Sequence, residues 1–127
     1  MRHDGFTLIE LLMVMVIIGL LAAIVGPQMG IARERTYVSV MKTDLRNFAT
    51  AEESYFYDFS TYSSSAATVA ARGFETSRDV TLTVNEATSS GWSATATHTR
   101  TPEICNIFMG SAAPIGSATH EGMVDCS

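Results

Sequence analysis

Positive charge is scarce in this sequence. Eight Lys and Arg stand against thirteen Asp and Glu, a formal net charge of −5 at pH 7, and beyond Pro27 seven basic residues remain against eleven acidic ones. With no basic field to gather phosphate backbones, a general nucleic-acid-binding surface is disfavoured. Catalytic groupings are missing too. His3, His98 and His120 stand apart, with neither the i, i+4 spacing nor the cysteine neighbours of a zinc site. No serine sits in a G-x-S-x-G context, and there is no N-x-[ST] glycosylation sequon, although the Ser/Thr-rich loops offer hydroxyls that could accept O-linked sugars. The adjacent Glu52 and Glu53 point in different directions on a helix, so a solvated face is favoured over paired acid–base work. No enzyme class, cofactor or metal site is indicated; Glu121 and Asp125, four apart near the end, are the only hint of a calcium site.

What the chain has in abundance is one apolar run. From Gly5 to Pro27, GFTLIELLMVMVIIGLLAAIVGP, about twenty nearly uninterrupted apolar residues carry a single acid, Glu10. A helix from Phe6 to Val25, at ~1.5 Å per residue, is roughly 30 Å long and matches the hydrocarbon thickness of a bilayer. An anchor accounts for the length but not for Glu10. An acid inside a membrane helix costs on the order of 2.5–3.5 kcal/mol at the centre, less near an end, unless a partner neutralises it. A secretory signal peptide fits poorly: only Arg2 is clearly basic ahead of the run, the run is too long, and Ala22-Ala23 is followed by Ile24 and Val25 rather than by a small residue.

With the apolar run removed, about 100 of the 127 residues remain, enough for one modest core. From Gln28 to about Tyr57 the pattern becomes amphipathic: Val38, Met41, Leu45, Phe48 and Tyr55 recur at three-, four- and seven-residue steps, with Arg35, Lys42, Asp44 and Arg46 largely off that stripe. If this helix continues the first, Phe6 to Tyr57 extends ~78 Å. A partner of 100 residues cannot cover such a length, so one half packs on the globular part and the other on other molecules. Pro27 inside the helix predicts a kink, with Gly26 and Gly30 weakening the same region.

The aromatic segment from Tyr55 to Tyr62 predicts a helix end that caps a core. Ala66 to Ala71 is weakly helical. Val80, Leu82 and Val84, then Trp92, Ala94 and Ala96, alternate with polar residues on either side of Thr88-Ser89-Ser90-Gly91, predicting two antiparallel strands. Ile104 to Met109 is a third candidate, and Ser111 to Ser127 has no periodicity. The expected fold class is α+β: a long N-terminal helix on a small antiparallel sheet.

The tiny polar leader Met1 to Gly5, then Gly5-Phe6-Thr7-Leu8-Ile9-Glu10 and the apolar run, resembles the N-terminal segment of type IV pilins and of the pseudopilins of type II secretion. The close match covers about the first 30 residues. The resemblance implies cleavage after Gly5 by the prepilin peptidase, methylation of the new amino group on Phe6, and assembly by an inner-membrane machinery into a filament whose core is a bundle of these helices, with Glu10 serving assembly. It divides the chain into a leader (1–5), a membrane and filament-core segment (6–27) and a globular head (28–127). Gly19 and Pro27 fall where many pilins carry a helix-weakening Gly and Pro. Arg2 agrees with a cytoplasmic N-terminus while Arg33 and Arg35 pull the other way, so the outward placement of the head rests on the resemblance. Outside the cytoplasm Cys105 and Cys126 are expected to pair and tie the tail to the third strand.

The implied product is a homopolymeric surface filament made from a single-pass precursor. A secretion pseudopilin is the near alternative, although a Cys pair enclosing the C-terminal segment looks more like pilins. A bitopic periplasmic binding protein that merely uses the helix as an anchor is the remote one, and leaves Glu10 and the Gly5-Phe6 junction unexplained.

Overall fold

The computed structural model describes residues 5–127; the leader residues Arg2 and His3 lie outside the described residues. Helix α1 runs Leu8–Phe59, and its assignment continues through Pro27. It passes through two compact units, one ending at Arg33 and the other Glu34–Ser127. It closes with Ser60 in the left-handed region (φ 55°) and the Ser60 N–H donating to the Phe56 carbonyl, a common way to end a helix. A short helix α2 (Ala66–Ala70) follows, then strands β1 (Val80–Ala87), β2 (Gly91–His98), β3 (Ile104–Gly110) and β4 (Asp125–Cys126). The four strands form one antiparallel sheet in the order β1-β2-β3-β4. The expected α+β class and three strand candidates are all present, and the tail, expected to be irregular, adds β4.

Within the second unit the core forms where the two periodicities meet. Met41, Leu45 and Phe48 from the helix are fully buried against Val80, Trp92, Ala94, Ala96, Cys105 and Ile107 from the sheet, with Val69 of α2 and Val124 of the tail closing the sides. Phe48 is the centre of this cluster, its ring meeting those of Phe74 (5.3 Å) and Trp92 (5.2 Å) edge to face. Strand residues alternate faces. Phe108 accordingly falls on the opposite side from Ile107 and is covered there by Ala112 and Ala118 of the tail. Gly91 and Gly110 face each other across β2 and β3. A methyl group at Gly110 would lie 2.1 Å from the Ser90 carbonyl oxygen, so only glycine permits this approach.

Two acids behave differently from the sequence expectation. Glu52, expected on a solvated face, is fully buried; Oε2 accepts the Ser63 N–H at 2.8 Å and thereby anchors the loop that leaves α1. Asp44 is also buried and accepts the Ser77 N–H and hydroxyl, both at 2.8 Å, tying the segment before β1 to the helix. Both sit on the edge of the apolar stripe, where a loop without its own ladder presents backbone donors that a carboxylate can satisfy. The aromatic segment splits likewise. Tyr62 packs near Trp92, but Tyr57 (88% exposed) and Phe59 lie on the surface, Phe59 against Tyr55 and Arg72 rather than over the core.

Burial raises the Glu52 carboxyl above its ordinary value of 4.5, with the Ser63 N–H opposing this and the neighbouring Glu53 adding to it. A raised folded-state value means that Glu52 contributes stability in full below the unfolded value, and that this contribution is lost as pH rises through the folded one. Relative to Glu52→Gln, which does not titrate, the wild-type chain should therefore gain stability as pH falls from neutrality towards 4.5. Urea unfolding across that range checks this; a pH-independent difference would contradict it.

Candidate functional site

The first half of α1 presents its apolar side chains to the outside. From Phe6 to Ile31 the large apolar residues are between 49% and 84% exposed. A contiguous apolar surface of this size is not stable in water and calls for a bilayer or other molecules. Among the described residues this helix is the one long and apolar enough to cross a membrane.

Glu10, the acid in that surface, occupies the first turn of α1. Thr7 precedes the helix, and its N–H (2.9 Å) and hydroxyl (2.8 Å) both donate to Glu10 Oε2, while the Glu10 N–H donates back to Thr7 Oγ1 at 3.3 Å. This reciprocal arrangement is a capping box, with Thr at the cap and Glu three residues on. It satisfies backbone donors that a helix end leaves open and that lipid cannot satisfy. Thr7 was missed by sequence reasoning although its signal, Thr-x-x-Glu ahead of an apolar run, is present in the sequence. Both bonds go to Oε2, and among the described residues Oε1 accepts none.

The remaining expected positions are spread along the chain. Gly5 and the 84% exposed Phe6 lie just ahead of the cap. At Gly19, Gly26 and Gly30 an added Cβ would meet nothing within 4 Å, so packing inside this chain does not demand glycine at any of them. Cys105 and Cys126 are joined in a disulfide. They are directly paired across β3 and β4, and because Ile104 and Ser127 exchange the two ladder hydrogen bonds beside them, the cysteines form the closer, non-hydrogen-bonded pair, with Cα atoms 4.0 Å apart. Glu121 accepts the Gly110 N–H at 2.7 Å, and among the described residues no group of three His, Cys, Asp or Glu is placed to hold a metal.

The family profile of the prokaryotic N-terminal methylation motif matches residues 1–26. The major component of the type IV wide pilus of Thermus thermophilus is 35% identical over 95 residues, which cover 74% of this chain and 72% of that protein. The chain belongs to the type IV pilin and pseudopilin family. The type IV major pilin protein of Myxococcus xanthus is 45% identical over 62 residues, 49% of this chain but only 28% of that pilin. The type II secretion system core protein G of Pseudomonas aeruginosa is 41% identical over 63 residues, 50% of this chain and 44% of its own length. An exposed apolar half-helix with a capped acid, a long helix that changes from all-apolar to amphipathic, and a disulfide-closed sheet are thus the features of a pilin-family chain, and its N-terminal motif and apolar helix fit a membrane precursor of a surface filament.

Proposed function

We propose that this pilin-family chain is a structural, non-catalytic subunit of a type IV pilus-like filament, held in the inner membrane as a precursor, cleaved after Gly5 by a prepilin peptidase, methylated on Phe6 and polymerised through α1 into a surface fibre. The observation that carries the proposal is the bare apolar surface from Phe6 to Ile31 interrupted by one acid. Lipid covers such a surface in the precursor, and other copies cover it in a filament core. Glu10 then has a second use. Its free Oε1 can receive the amino group that cleavage creates on Phe6 of an axially displaced neighbour, and such a pair sets register in an otherwise featureless apolar bundle, as one polar residue does in a coiled coil.

Gly19 and Pro27 serve here as places where the helix gives way on packing. Since a methyl group at position 19 meets nothing within the chain, Gly19→Ala should stabilise the helix by about 1 kcal/mol. Its cost, if glycine is needed, should appear only in the filament. Normal assembly of the Ala variant would remove Gly19 from the proposed mechanism.

The pilus reading is preferred over a secretion pseudopilus because the disulfide closes the C-terminal segment, a feature that looks like pilins. Electron microscopy of cells with and without this chain tests it. Long surface fibres that depend on the chain support the pilus; their absence together with failed protein secretion would support the pseudopilus instead.

A further inference from the structure

In the second unit, an open cavity of about 460 Å³ is lined by the helix residues Tyr37 and Val40, by His98 at the end of β2 and by Arg78, Asp79 and Arg100 in the flanking loops. The chain is acidic, so two arginines on one small cavity are a local exception. Arg78 has no carboxylate partner among the described residues, and Arg100 has only a loose one: its Nε lies 3.8 Å from Asp79 Oδ2. His98 is buried, and its ring is stacked on Tyr37 with centroids 4.5 Å apart. Its Nδ1 accepts the Arg100 N–H at 3.1 Å. With Nδ1 accepting that bond, Nε2 is the ring nitrogen left to donate. An imidazole N–H and two forked guanidinium groups lining one cavity are the donors that bind a phosphate oxyanion, with Asp79 the one opposing charge among them.

We propose that this cavity binds the phosphate of an anionic phospholipid headgroup. Free phosphate offers the same oxygens, but the chain itself favours the lipid. Tyr37 follows Ile31, the last exposed large apolar residue of the first unit, by six positions, so even a fully extended chain separates them by at most roughly 20 Å. Once the apolar half is in a bilayer, that tether makes headgroup binding an intramolecular event at high effective concentration. The site holds the head against the membrane in the precursor and must release it when a subunit leaves for the filament. This rests on the membrane-anchored reading above.

The test uses the full chain in phosphatidylcholine nanodiscs with increasing fractions of phosphatidylglycerol, and in parallel with added inorganic phosphate, following the His98 ring signals by NMR. Phosphatidylglycerol should shift these signals saturably, and the double variant Arg78→Gln/Arg100→Gln should need about tenfold more lipid, as loss of charge-assisted contacts implies. Unchanged fluorescence of the buried Trp92 shows that the variant is folded. Incorporation into the discs without a saturable shift, or the same shift in the variant, overturns the site. Inorganic phosphate acting at the same concentration as the lipid overturns the headgroup assignment. Failure to enter the discs overturns the anchored reading and the lipid assignment with it.

Discussion

Glu10→Leu should enter the membrane at least as well as the wild-type chain and yet form little filament. The first half follows from solvation: leucine removes an acid whose presence at bilayer depth costs on the order of 1–3 kcal/mol, depending on how near the surface it lies. The second follows from what Oε1 can reach. A charge-assisted pair with a neighbour's Phe6 amino group is worth roughly 1.5–3 kcal/mol, about a tenfold or larger effect on the addition of each subunit. The capping box complicates this variant, because leucine also leaves the Thr7 N–H without its partner. Glu10→Gln separates the two roles. Glutamine at this position still completes a capping box but carries no charge. Assembly that fails in both variants assigns the effect to the charge, whereas recovery in Gln would mean that Glu10 serves only its own helix end. Filament yield, normalised to cleaved membrane-inserted protein, is the measurement.

Loss of the Cys105–Cys126 disulfide should destabilise the head by about 3 kcal/mol in the chain-entropy model, in which removing the bridge frees a loop of roughly 20 residues in the unfolded chain. For a unit of this size that lowers Tm by roughly 12–25 °C. The native structure explains why the bridge matters: β4 has two residues, too few to hold the tail by ladder bonds alone, while the tail supplies Ala112, Ala118 and Val124 to buried clusters on both faces of the sheet. The paired variant Cys105→Ala/Cys126→Ala avoids a leftover thiol and should retain membrane insertion through α1. An unchanged melting temperature would deny the disulfide its stabilising role.

The elements that sequence made legible are those with strong periodicity. Met41, Leu45 and Phe48 at helical spacing, and the alternation around Val80 and Ala94, placed the helix stripe and two strands correctly, because one face of each is buried. Strand β4 was not legible. Two residues have no period, and their pairing depends on the partner strand and the bridge rather than on local pattern. Glu52 and Asp44 were hidden for a related reason: a buried acid looks like a solvated one until the loop that supplies its hydrogen bonds, Ser63 or Ser77, is in place. The exposure of Tyr57 and Phe59 was missed because aromatic composition says nothing about which side of a helix end faces the core. At the N-terminus the apolar run and Glu10 were unmistakable, whereas the cap that holds Glu10 is written in a four-residue motif easily overlooked beside them.

The central claim is that α1, freed at Phe6, is the element by which copies of this chain polymerise. Fibres sheared from cells and analysed by intact mass test it most directly. The account predicts that they contain this chain beginning at an N-methylated Phe6, with the Cys105–Cys126 bond retained. Fibres without the chain, or a chain in them that still begins at Met1 or starts only after Ala23, would contradict it.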